Sequence, residues 1–145
     1  MSDEERNVIL DVTPGDHEKF ERRLLESTGH EVSVCHGPGG HEGCPLLEEG
    51  TCELLTEAHG VVFKLDLDRE YHRRILEAYK RTIPADMPLA VGVYPGQERQ
   101  YADLLEGLYV WGHTPTASEL DGFAALVDAA DDTRTDRTPR TGPTS

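Results

Sequence analysis

Apolar and polar positions alternate in blocks along this chain, with short apolar runs giving way repeatedly to stretches that have one apolar face. Asn7–Val12, Glu31–Val34, Val61–Leu65, Leu89–Tyr94 and Leu108–Trp111 are runs of four to six residues with the length and side chains of strands. Val61–Leu65 reads as a buried one, because parallel strands covered on both faces lose their polar alternation. Helical spacing fills the intervals. Asp16 stands as an N-cap before a helix with Phe20 and Leu24 on one face, and Gly29 supplies its stop. Cys52–Ala58 has room for one or two turns. From Arg69 to Arg81, Tyr71, Ile75 and Tyr79 repeat at i, i+4, and Pro84 closes that helix. Pro95 and Gly96 separate the fourth strand from a helix at Gln97–Leu105. Thr116 and Glu119 form a T-x-x-E capping box ahead of Leu120, Phe123 and Val127, a stripe that runs to Ala130. The segment Cys35–Thr51, CHGPGGHEGCPLLEEGT, carries five glycines and two prolines and reads as irregular throughout.

Strand and helix alternate strictly, which implies a parallel sheet with right-handed crossovers and helices on both faces. Five such units predict a three-layer, flavodoxin-like (βα)5 sandwich with strand order 2-1-3-4-5. The domain spans 7–130. Residues 1–6 and the apolar-free, acidic, Thr- and Arg-rich tail 131–145 are too polar to offset the entropy of ordering and read as disordered.

At 145 residues the chain suits one domain with a real core. Its charge, 14 − 28 = −14, repels phosphate backbones and anionic lipid, which argues against nucleic acid and membrane surfaces as partners. No run approaches the roughly 18 apolar residues of a membrane span, and the polar start Met1–Arg6 is unlike a signal peptide, so the expected location is the cytoplasm. Three cysteines, an odd count, fit a reducing compartment.

The first unit, VILDVTPGDHEKFERRLLESTGHEV, resembles the opening of response-regulator receiver (CheY-like) domains, and HTPTASEL at His113–Leu120 resembles the segment joining their last strand and helix. The resemblance implies a pocket at the strand C-termini in which an aspartate after the third strand accepts a phosphoryl group. An acidic pair after the first strand would hold a metal there, and a hydroxyl and a lysine would sense the phosphate. Laid onto this chain, the acidic pair falls on Val12 and Thr13, the acceptor on Lys64, the hydroxyl on Val93 and the lysine on His113. An amine forms no acyl phosphate, and valine and threonine are poor magnesium ligands, so the resemblance is to a degenerate, or pseudo-receiver, form. Asp11, Thr13, Lys64, Asp66 and His113 are expected to converge as the degenerate pocket, with Lys64 pairing to Asp11 or Asp66. The implied role is a stand-alone signalling or interaction module, non-enzymatic and phosphorylation-independent. Receivers use the face of helix 4, strand 5 and helix 5 for protein partners or homodimers, which here carries Tyr101, Tyr109 and Trp111.

A second reading concerns Cys35, His36, His41, Cys44 and Cys52, which lie within one glycine-rich stretch. Cys35, His41, Cys44 and Cys52 make the best tetrahedral set for zinc or an iron–sulfur cluster, and Cys44 with Cys52 a candidate redox pair. No C-x-x-C is present, so the leading reading assigns no cofactor and leaves the cysteines as packing residues. GPGGHEG follows the second strand and misses the dinucleotide-binding spacing, and no G-x-S-x-G, H-E-x-x-H or Walker sequence anchors a catalytic assignment.

Overall fold

The computed structural model describes residues 7–13, 18–35, 45–50, 52–84, 86–112 and 114–136. Five strands, β1 (Val8–Val12), β2 (Glu31–Cys35), β3 (Gly60–Phe63), β4 (Leu89–Val93) and β5 (Tyr109–Gly112), form one sheet in the order β2-β1-β3-β4-β5. All pairs are parallel, as the alternation of elements requires. The helices are α1 (Glu18–Ser27), α2 (Pro45–Glu49), α3 (Glu53–Thr56), α4 (Glu70–Thr82), α5 (Gln97–Gln100), α6 (Ala102–Leu105) and α7 (Ala117–Asp136). The three-layer (βα)5 architecture of the CheY-like, flavodoxin-like class is therefore present.

Strand alternation divides the core in two. Leu10, Val12, Val61, Phe63, Val91 and Val93 face α4 and the short helices, where Ile75, Leu76 and Tyr79 of α4 meet them. Ile9, Val62 and Ala90 face the other way, against Leu25 of α1 and Leu120, Phe123 and Val127 of α7. Close approach of α7 depends on Gly60, since a Cβ there would come 2.5 Å from Val127 Cγ2. Both bonds of the capping box form: Glu119 N–H donates to Thr116 Oγ1 at 3.1 Å, and Thr116 N–H donates to Glu119 Oε1 at 2.9 Å. At the opposite pole, Asp128 Oδ1 of α7 meets the buried His30 ring at 2.9 Å and accepts from Asn7 Nδ2 at 2.7 Å, tying the last helix to β1 and β2.

Four elements differ from the sequence expectation. On α1 the inward residues are Glu21 and Leu25, while Phe20 is 54% exposed and Leu24 half-buried, so the helix is rotated by about one residue. The cause is a charge beneath it, described below. Pro45–Glu49 is a helical turn inside the stretch read as irregular; a proline fits the first helical position, and all but one of the glycines precede it. Gln97–Leu105 is two short helices, broken where Tyr101 leaves helical geometry at φ −116°, ψ 34°. Finally, α7 continues to Asp136, six residues past the break expected at Ala130. Residues 1–6 and 137–145, and the proposed cap Asp16, lie outside the described residues.

Candidate functional site

β3 ends at Phe63, and the next side chain, Lys64, falls on the α1 side of the sheet by alternation with Phe63. Its aliphatic stem lies over β4 at Gly92, where a Cβ would stand 3.0 Å from Lys64 Cγ and 3.2 Å from Cδ. A side chain there would press on the stem, and glycine leaves the path open. The ammonium then reaches α1 and donates to Glu21 Oε2. Both partners are sealed from water, Lys64 at 2% and Glu21 at 3% exposure, and Asp11 and Thr13 on the same face are at 0%. Glu21 Oε1 has no hydrogen-bond partner among the described residues. This cluster explains the rotation of α1. A buried ammonium needs a carboxylate, and turning Glu21 inward turns Phe20 out.

Asp66, expected to share this face with Lys64, belongs to a different cluster. Alternation holds only while the chain is extended, and it bends at Leu65 before the turn at Leu67 and Asp68. The Asp66 carboxylate accepts from the Asp68 N–H at 3.0 Å and from Gln97 Nε2 at 2.9 Å. Gln97 Oε1 in turn accepts from the Tyr94 N–H at 3.0 Å, so one buried amide links the loops after β3 and β4. Burial pushes the Asp66 carboxyl up, but the two hydrogen bonds and the charges of His72 and Arg69 outweigh it and hold it below the ordinary carboxylate range. Burial holds His72 below its ordinary value, with Arg69 adding to the effect and Asp66 opposing it. Asp68 accepts from the Tyr101 hydroxyl at 2.8 Å, which raises the pKa of that hydroxyl.

The other anticipated residues are scattered. Val93 is buried in the α4-side core, and His113 lies outside the described residues. Tyr101 is turned toward Arg73 of α4 and Asp68, whereas Trp111 stacks edge-on against Phe123 of α7 with centroids 5.6 Å apart. Tyr109 alone of the three aromatic residues is exposed, at 46%. Cys35 and Cys52 are half-buried against the α4-side core, and His36, His41 and Cys44 lie outside the described residues. Among the described residues no three His, Cys, Asp or Glu side chains are disposed to hold a metal ion. Sequence reasoning missed Glu21 and Gln97. The signal for Glu21 was its i, i+4 spacing to Leu25 together with a lysine in a strand that had to be buried. Gln97, one residue past a glycine turn, carried no such signal.

No protein-family model and no curated protein matches the chain. Among solved structures it is similar to a CheY-like response regulator receiver domain protein from Methanospirillum hungatei JF-1, at 18% identity and a TM-score of 0.61 over 88% of this chain and 98% of that one. It is also similar to a response regulator protein from Burkholderia multivorans, at 19% identity and a TM-score of 0.57 over 87% and 95% of the two chains. The fold is that of receiver domains.

The buried pair predicts a non-additive response. Lys64→Met strands the Glu21 carboxylate and should cost about 3–5 kcal/mol in urea unfolding at neutral pH, while adding Glu21→Leu should recover most of that loss. Equal, additive losses would contradict the pairing. Asp66 predicts a pH effect: because its folded-state pKa is depressed, its contribution is fully present above the ordinary carboxylate range and is lost as pH falls through the folded value. Asp66→Asn should therefore be less stable than the parent at neutral pH and converge with it in strong acid, as followed by thermal unfolding at each pH.

Proposed function

We propose that this chain is a receiver-like signalling module that acts through protein contact and is not phosphorylated at the end of its third strand. The observation that carries this reading is the buried Lys64–Glu21 pair in the place where the receiver resemblance calls for an acceptor aspartate. An amine there cannot form an acyl phosphate. A phosphodonor would also have to open the α1 contact to reach the carboxylates of Asp11 and Glu21. The acidic pair that would hold a metal is replaced by Val12 and Thr13, of which Val12 is part of the hydrophobic core.

Contact with a protein partner or a second copy is supported by β5 and its surroundings. The strand ends the sheet, with β4 on one side only, and its residues carry no charge. Val110 is 38% exposed although its register partner Val91 is buried. Beside it, Val93, Pro95, Val110 and Trp111, together with the one charged side chain Glu98, line a recess of about 390 Å³. An uncharged, partly apolar sheet edge is a surface that association covers. The similarity to response regulators supports the signalling class on the same footing.

Incubation of the purified chain with acetyl phosphate and magnesium, followed by intact mass measurement, tests the proposal. The mass should be unchanged under conditions that modify a functional receiver. A stoichiometric gain of one phosphate, abolished by Asp66→Asn, would move the acceptor to the Gln97-bonded carboxylate and overturn it.

A further inference from the structure

The chain has 28 Asp and Glu against 14 Lys and Arg, so cations are outnumbered two to one. Ion pairs among the described residues include Arg22–Glu26, His30–Asp128 and Lys64–Glu21. Arg73, Lys80 and Arg99 are in none of them, yet these three cations line a single groove of about 550 Å³ between α4 and α5–α6. Glu77 and Asp103 also line it, and neither is ion-paired to the three among the described residues. Neutral groups hold two of the cations in place. Arg73 donates to the Leu67 carbonyl at 2.8 Å, with its guanidinium carbon 5.3 Å from the centre of the Tyr101 ring, and Lys80 donates to the Leu104 carbonyl at 2.5 Å. Carbonyl oxygens and a ring face orient a cation without cancelling its charge.

We propose that this groove docks an acidic peptide segment of a protein partner. Spacing selects that occupant over a small phosphorylated ligand. Arg73 and Lys80 are seven residues apart on α4, two turns and about 10.5 Å along the axis, with Arg99 facing them from α5. A single phosphate spans too little to engage both ends, whereas an acidic helix laid in the groove presents carboxylates at the same seven-residue interval. Tyr101 and Leu104 form the less polar floor between the charges. Net repulsion from the rest of the molecule is screened beyond about 8 Å at physiological salt, while contacts inside the groove are direct. The proposal does not depend on whether the third strand accepts phosphate.

The test uses the full chain and a fluorescein-labelled alanine–leucine helical peptide with two glutamates seven residues apart, followed by anisotropy at physiological salt. Saturable binding is expected, with Arg99→Glu and Lys80→Gln each weakening it by about tenfold or more. Arg81→Glu, an exposed change on α4 outside the groove, should leave it within about twofold, and a lysine-for-glutamate peptide should not bind. Three results would overturn the proposal: no saturable binding, an equal loss with Arg81→Glu, or displacement of the peptide by equimolar inorganic phosphate.

Discussion

A lysine side chain at the end of a fully covered strand sets the arrangement of everything around it. Lys64 is in contact with protein on all sides, and an ammonium placed there without a carboxylate would cost several kcal/mol. Two separate parts of the chain meet that requirement. Gly92 of β4 leaves room for the stem, α1 turns Glu21 toward the sheet, and Phe20 is left in solvent as a consequence. An apolar residue at position 64 would pack more cheaply, since a hydrophobic replacement for a buried pair is often neutral or stabilising. What the pair provides is a seating for α1, with Glu21 turned toward the ammonium.

The same residue separates two clusters at the carboxyl ends of the strands. On the α1 side the polar groups Asp11, Thr13, Glu21 and Lys64 are buried. On the α4 side, Asp66, Gln97, Asp68 and Tyr101 form a hydrogen-bonded chain that is partly open and runs from the β3 loop to the break between α5 and α6. The break has a physical basis in those bonds, because the Tyr101 hydroxyl and ring are engaged by Asp68 and Arg73 at the residue where the helix is interrupted. Binding in the adjacent groove would therefore act directly on the loops after β3 and β4.

Much of the fold could be read from periodicity. Apolar runs bounded by Gly and Pro gave five strands in the right order, and Thr116 with Glu119 announced α7 through a cap whose two bonds both form. Two of the misreadings share a cause: local pattern was decided by a distant residue. Phe20 and Leu24 are spaced as a buried stripe, but Lys64 claims that face for Glu21. Gln97–Leu105 is long enough for one helix, but Asp68 holds Tyr101 out of it. The site was legible in part for the same reason. Lys64 was identifiable as anomalous because it stands in an apolar strand, whereas its partner lies 43 residues earlier on an ordinary-looking helix face. Asp66 was placed on the wrong side because the pleat was extended past the point where the strand ends.

The central claim is that the amine of Lys64 is enclosed against Glu21. Amine acetylation of the native protein, mapped by peptide mass, measures this directly, since the chain contains only three lysines: Lys19, Lys64 and Lys80. The account predicts rapid modification of the exposed Lys19 and protection of Lys64 until the protein is unfolded. Modification of native Lys64 at the rate of Lys19 would contradict it.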